Sequence, residues 1–408
     1  MKDASPLTGF DHGETYGFFL PWRIRNNTRN ALFPGRMLED RTGQATRSKM
    51  IMGHAIASGT DYRSPAKKFF RLLGWTLLVP ILAAITGWEI LFVYCSNLPE
   101  GFRLPAAIGI GLVSAGVLLI GRLKTRSLLI FLAVFAVLLF WFFSIPASND
   151  RDWLPDLARL SWAEIDGDFI TVHNIRNCDY RSETDFTVAY YDRRFDLRQL
   201  KSVDVVAVYW MGPAIAHILL SFGFEDGAYL AVSIEARKEK GEGYSTVKGF
   251  FRQYELYYVV ADERDVIRLR TNYRKDPPED VFVYRLQGPI ENGRRLFLAY
   301  MEKLNSLKAR PEFYNSLTTN CTTNIWTNTH VNPDRIPLSW KILMSGYVPD
   351  YLYETGRLDN KLPFFDLKRR AHVNARARAA DTAADFSQRI RQRDVSTMPA
   401  GQADRRAL

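Results

Sequence analysis

The chain reads as an α+β protein whose antiparallel-sheet domain follows three helices of membrane-crossing length. Three observations predict this. Residues 72–145 contain three long apolar runs. Residues 169–261 contain β-branched and aromatic runs bounded by charged and Asn/Asp/Gly clusters, the pattern of strands. The period then changes, with Leu296, Tyr300, Leu304 and Leu307 at helical spacing. Strands followed by a helix, rather than alternating with helices, favour an antiparallel sheet with the helix on one face.

The apolar runs Leu72–Cys95, Leu104–Ile120 and Ser127–Ile145 approach the ~20 residues that a helix needs to cross a bilayer. Leu128–Phe143 has no charged or hydrogen-bonding aliphatic side chain, which argues for lipid rather than a buried helical core. Loop charge orients the spans. Arg63, Lys67, Lys68 and Arg71 precede the first, and Arg122, Lys124 and Arg126 join the second to the third. The first connection offers only Arg103, with Glu100 nearby. The positive-inside rule therefore predicts a cytoplasmic N-terminus and three crossings. Everything after Ile145 is then extracytoplasmic: a multi-pass inner-membrane protein with a periplasmic C-terminal domain. Residues 1–60 lack the apolar core of a cleavable signal peptide. Glu89, inside the first span, is expected near the outer interface.

The expected organisation is a flexible cytoplasmic leader over 1–66, the membrane region over 67–147, and a globular domain over 151–366. A basic tail over 367–408 is either a loose helix or disordered. The net charge of +10 resides in the flanks: residues 1–71 and 367–408 contribute +6 each, leaving the centre near −2. That distribution excludes a nucleic-acid groove in the domain and points the basic flanks toward anionic membrane lipids. Three cysteines, Cys95, Cys178 and Cys321, cannot build a disulfide framework. A Cys178–Cys321 bridge stands as the alternative to a free Cys321.

Strands are predicted over 169–173, 186–190, 203–210, 217–224, 228–235 and 253–261, and a helix over 292–308. Glu225-Asp226-Gly227 makes a three-residue hairpin loop. If Phe224 faces Ala228 across it, His217 lies opposite Glu235, on one face with Leu219, Ser221, Ala231 and Ser233. A carboxylate beside an imidazole fixes its tautomer and raises its basicity; a cross-strand ion pair without catalytic meaning is the alternative. Asn320 is a good N-cap, so Cys321 should occupy the first turn of a helix. Free N–H groups, the helix dipole and a nearby imidazolium there would favour thiolate. Its own N–H would serve as oxyanion donor, with Asn324 and Tyr314 helping to orient substrate or histidine. The other histidines compete less well. His173 is expected on an edge strand, His330 trails the cysteine, His372 is in the tail, and His12 and His54 precede the spans. No Cys/His spacing has the form of a zinc site, and the chemistry calls for no cofactor.

Four segments carry a resemblance to a known family. They are His217-Ile-Leu-Leu-Ser-Phe-Gly-Phe, Ser233-Ile-Glu-Ala-Arg-Lys-Glu, Glu263-Arg-Asp-Val-Ile-Arg-Leu-Arg270 and Tyr314-Asn-Ser-Leu-Thr-Thr-Asn-Cys-Thr-Thr323. In this order, over roughly 180–365, they resemble the Lnb N-terminal periplasmic domain family. The resemblance implies a permuted papain-like (NlpC-type) domain in which the histidine precedes the cysteine. It makes Cys321 the nucleophile and His217 the base, with Glu235 in the family's Ser-x-Glu segment. Arg237, Arg270, Arg274 and Asn320 resemble further motif positions, for a lipid phosphate or carboxylate or as structural ion pairs. The implied activity is N-acylation of lipoproteins, with a phospholipid as acyl donor and a lipoprotein as acceptor. The proteins it resembles carry their membrane helices after the domain, whereas here they precede it.

The expected function is therefore a membrane-anchored Cys–His acyltransferase or hydrolase working through a thioester. A cysteine peptidase or amidase of envelope peptides, and a non-catalytic envelope binding or assembly protein, are the alternatives.

Overall fold

The computed structural model describes residues 65–392, so the expected leader, apart from its last two residues, and the end of the tail lie outside the described residues. Three helices come first: α1 (Pro65–Tyr94), α2 (Glu100–Ile120) and α3 (Thr125–Ser144). Each is long and apolar enough to cross a membrane. Their outward faces are greasy, with Leu112, Ile120, Val137 and Phe140 exposed, as a lipid-facing surface requires. Glu89 is buried between α1 and α2, where it accepts a 2.6 Å hydrogen bond from Ser114 Oγ.

The globular part sits on the C-terminal ends of α1 and α3. Phe251 packs into one cluster with Phe92, Val93 and Ile145. The neighbouring Arg252 donates from Nη1 to the carbonyls of Phe143 and Ile145, 3.2 Å each, and lies over the rings of Phe142, Phe143 and Phe313.

The domain's strands are β1 (Trp162–Asp166), β2 (Phe169–Arg176), β3 (Asp179–Tyr180), β4 (Phe186–Thr187), β5 (Tyr190–Asp196), β6 (Leu200–Tyr209), β7 (His217–Phe224), β8 (Tyr229–Arg237) and β9 (Glu255–Asp262). Helix α4 (Glu263–Arg268) follows, extended by a π turn over Leu269–Tyr273, and then β10 (Asp280–Arg285). The remaining elements are helices: α5 (Ile290–Ala309), α6 (Cys321–Asn328), α7 (Trp340–Leu343), α8 (Val348–Glu354), α9 (Phe364–Ala371), α10 (Asn374–Ala379) and α11 (Phe386–Arg389). The main sheet runs β1-β2-β9-β8-β7-β6-β10, with β5 also paired to β2. It is antiparallel throughout except where β2 meets β9, parallel at Arg176–Ala261. The fold is thus the expected α+β arrangement with a mixed rather than purely antiparallel sheet. The run expected over 186–190 divides: Phe186–Thr187 pairs with β3 in a separate ribbon, and Tyr190 begins β5.

Both faces of the sheet are covered. On one, Leu296, Phe297, Tyr300 and Leu304 of α5 pack against Phe222, Phe224 and Val232. On the other, Val266 and Ile267 of the α4 segment join Val206, Leu219, Ala231 and Val259.

The domain boundary expected at 366 is corrected here. Residues 367–392 are no loose tail: Val373, Ala377, Ala380, Phe386 and Ile390 complete the second core. Arg391 locks them down between two buried carboxylates, 2.8 Å from Asp204 and 2.6 Å from Glu263. Truncating Phe386, which is fully buried, removes a large aromatic from a closed core. Phe386→Ala should cost about 3–5 kcal/mol, read as a fall in the melting temperature of the detergent-solubilised chain. An unchanged melt would mean that the segment contributes no core.

Candidate active site

The hairpin register places the histidine. Leu219 pairs with Ser233, Leu220 with Val232 and Ser221 with Ala231, and the Phe224 N–H donates to the Ala228 carbonyl at 2.9 Å. This is the expected alignment. Pairing between β7 and β8 stops at Leu219–Ser233. Beyond it His217 keeps its partner on β6 and Glu235 its partner on β9. His217 Nε2 lies 3.8 Å from Glu235 Oε1.

Ser233 stands between them. Its Oγ is 2.6 Å from His217 Nε2 and donates to Glu235 Oε1 at 2.8 Å. A hydroxyl has one proton to give, and here it goes to the carboxylate. Ser233 Oγ must then accept from a protonated Nε2, which leaves the Nδ1 lone pair as the basic site. Ser233 falls on the His217 face by the sequence register, yet only Glu235 was expected to act there. The usable signal was the short spacing of Ser233 and Glu235 on one strand face.

Glu235 is fixed in turn by Arg270, whose Nη2 donates to the same Oε1 at 2.8 Å. Burial alone would raise the Glu235 carboxyl. The Arg270 guanidinium, helped by His217, Arg176 and the Ser233 hydroxyl, instead holds it well below the usual range. His217 is pushed down to about 3, by burial first and by the positive field of Arg270 second, against the opposing pull of Glu235. The imidazole is neutral at physiological pH.

Cys321 opens α6, as expected, and Asn320 caps it. Asn320 Oδ1 accepts from the Thr323 N–H at 2.9 Å while Thr323 Oγ1 accepts from the Asn320 N–H at 3.0 Å, a reciprocal capping box. The helix packs on the side of the sheet that carries α5, with Cys321 and Ile325 against that core. The sulfur lies where the β7–β8 pairing has ended: backbone N–H groups of Ile218, Thr322 and Cys321 itself favour its anion. Ile218 directly follows His217, so the Cys321 sulfur meets β7 at the open end of the ladder. Burial outweighs those N–H groups and raises the thiol above its ordinary value, with the Glu235 charge adding to the rise. The expected resting thiolate is corrected by this: the pair is a neutral thiol and a neutral imidazole.

The other expected site residues have structural partners. Asn324 Nδ2 donates to the Asn320 carbonyl at 3.1 Å, and its Oδ1 is 3.5 Å from the Tyr258 hydroxyl. Tyr314 is buried beside the cysteine segment, its hydroxyl 3.5 Å from that of Tyr244, and burial raises it far above the ordinary tyrosine range. Arg237 does not reach the site. Its guanidinium donates to the Leu157 and Ala158 carbonyls and stacks on Trp153 and Tyr257, so the substrate-binding role expected for it gives way to a structural one. Arg274 pairs with Glu279 at 2.9 Å. Cys178 and Cys321 are both free thiols, and the alternative of a bridge between them falls. Among the described residues no His/Cys/Asp/Glu cluster could hold a metal ion.

Comparison with protein families matches residues 186–346 to the Lnb N-terminal periplasmic domain. The matched span contains His217, Ser233, Glu235, Arg270 and Cys321, so the resemblance carried by those segments is borne out. A periplasmic domain behind three membrane-length helices agrees with the topology that loop charge predicts. Comparisons with curated proteins and with solved structures returned no match.

Two outcomes follow for this cluster. His217 binds a proton near 6.5 when unfolded but only near 3 when folded. The stability it contributes is present above pH ~6.5 and is lost as pH falls from there toward 3. Glu235, depressed in the fold, loses its contribution below about 4.5 in the same direction. The melting temperature should therefore drop steadily as buffer is taken from pH 7 to 4, and His217→Gln should flatten the upper part of that curve. Ser233→Ala removes the fixed Nε2 partner, and the rate of Cys321 acylation should fall about ten- to hundredfold, the worth of one charge-linked hydrogen bond. Equal rates for the variant and wild type would show that the serine does not position the ring.

Proposed function

We propose that the domain is a cysteine acyltransferase that moves an acyl chain from a membrane phospholipid to an amine at the periplasmic face of the inner membrane. A lipoprotein N-terminus is the acceptor that the family match suggests. The observation that carries the reading is the Cys321 sulfur at the helix N-terminus, against the N–H of the residue after a histidine whose tautomer is set by Ser233 and Glu235. A permuted papain-like (NlpC-type) reading is supported by a cysteine at the start of a helix, a histidine on a strand of the sheet that helix packs against, and the histidine preceding the cysteine in sequence.

The reaction begins from neutral partners. As Cys321 Sγ attacks the ester carbonyl carbon, its proton passes to His217 Nδ1. The imidazolium so formed is stabilised by the Glu235 carboxylate through the Ser233 hydroxyl. The backbone N–H groups at the start of α6 take the developing oxyanion. Collapse of the tetrahedral adduct expels the lysolipid alkoxide, which takes the His217 proton, and leaves a thioester on Cys321. An amine then attacks the thioester, gives its proton to His217, and the sulfur leaves to recover that proton as thiol. Burial keeps both groups uncharged until substrate excludes water and supplies the carbonyl.

Placement supports a lipid donor. The segment containing Phe251 and Arg252 is bound to the ends of the membrane helices, and exposed Val247, Phe250 and Leu317 lie in the adjoining loops. The loops are closely joined: Ser316 Oγ donates to the Thr246 carbonyl, and a Cβ at Gly249 would overlap Ser316 Oγ.

The test uses the full chain in nanodiscs containing a fluorescent-acyl phospholipid and an amine-terminated lipopeptide. Wild type should release lysolipid, show one acyl mass on Cys321 and label the peptide amine. Cys321→Ser and His217→Asn should lose labelled peptide by at least about a thousandfold. Transfer that persists in Cys321→Ser, or cleavage of muropeptides without acyl transfer, would overturn the proposal.

A further inference from the structure

The geometry points to an acyl-chain pocket inside the domain, walled in part by the residue that follows the nucleophile; this rests on the acyl-transfer reading above. A cavity of about 220 Å³ lies between the sheet, α5 and the α6–α8 segment. Ile218, Leu220, Leu296, Thr322, Ile325 and Trp326 contribute to its wall. Two of these fix its place relative to the chemistry. Thr322 follows Cys321 in the chain, and Ile218 follows His217 and presents its N–H to the sulfur. The cavity wall thus includes the residue that follows each proposed catalytic partner in the chain, together with Ile325, Trp326 and Thr329 of the α6 segment.

A thioester on Cys321 has its carbonyl at the helix N-terminus and must direct its hydrocarbon somewhere. A straight alkyl chain gains from any enclosed apolar wall, whereas a peptide would leave backbone N–H and C=O groups unpaired against Leu220, Leu296 and Ile325. Arg285 and Arg357, which also border the cavity, are already engaged by Asp204 and by the Asp334 carbonyl. The cavity accordingly selects for chain length, and Ile325 is a wall position at which its volume can be changed.

The experiment measures Cys321 acylation in the full-length protein with p-nitrophenyl acetate, butyrate, octanoate and dodecanoate, read by nitrophenolate release and by mass on Cys321. In wild type the rate should rise by roughly fourfold per methylene up to the length that fills the cavity, then level off. Ile325→Trp should lower the octanoyl-to-acetyl rate ratio at least about tenfold, and Ile325→Ala should move the plateau to longer chains. Opposite shifts from the two variants are not produced by loss of folding. If acetyl and octanoyl esters label wild-type Cys321 equally well, the pocket is overturned while the nucleophile assignment stands. If no ester labels Cys321, both fall together.

Discussion

The site depends on a partly buried carboxylate that stays ionised. Glu235 lies at the edge of the core, where desolvation alone would raise its carboxyl above the usual range, and the Arg270 guanidinium keeps the charge in place. Were Glu235 neutral, the Ser233 hydroxyl would lose its preferred acceptor and be free to donate to His217 Nε2 instead. The ring would then present the wrong nitrogen. Arg270 in turn reaches Glu279 at 3.6 Å, which also holds Arg274. The charge that orients the His217 ring is therefore part of an alternating network rooted in the π turn after α4. Arg270, one of the arginines the resemblance singles out, acts on Glu235.

A second constraint is the early end of the β7–β8 pairing. A ladder continued past Leu219–Ser233 would present a closed sheet to α6. By stopping there, the strands leave the Ile218 N–H for the sulfur and keep His217 and Glu235 within 3.8 Å of each other on β6- and β9-anchored backbones. Ending the pairing costs little, because each strand retains its other neighbour. It gives the helix N-terminus a place at the sheet where backbone donors converge on the partly buried Cys321 sulfur.

Much of this was legible in the sequence where the signal was local. The three-residue loop set the register, so the His217–Glu235 opposition followed from counting. Asn320 announced the helix start, and the apolar runs announced the spans. What was not legible depended on long-range burial. The cysteine's first-turn position suggested a thiolate, but its ionisation is decided by desolvation from α5 and the sheet, elements distant in sequence. The segment after 366 looked like a basic tail because its arginines mask a sparse apolar set, Val373, Ala377, Phe386 and Ile390. Only the uncovered second face of the sheet gives that set a purpose. Arg237 shares a strand with Glu235, but it lies on the strand segment that Trp153 and Tyr257 cover, and strand position alone does not show which neighbours reach it.

Neutral partners and a membrane-side location together bear on selectivity. A preformed thiolate–imidazolium pair would be open to any small electrophile reaching the periplasm. In the mechanism proposed above, a partly buried neutral thiol reacts only when a bound acyl group displaces water and lets the thiol proton pass to His217. The cost is a less reactive resting nucleophile. The compensation is that reactivity appears only when a carbonyl is held at the helix N-terminus, which ties the chemistry to occupancy of the site rather than to the cysteine's own acidity. For an enzyme fixed at a bilayer, where local ester concentration is high, that ordering favours fidelity over resting reactivity.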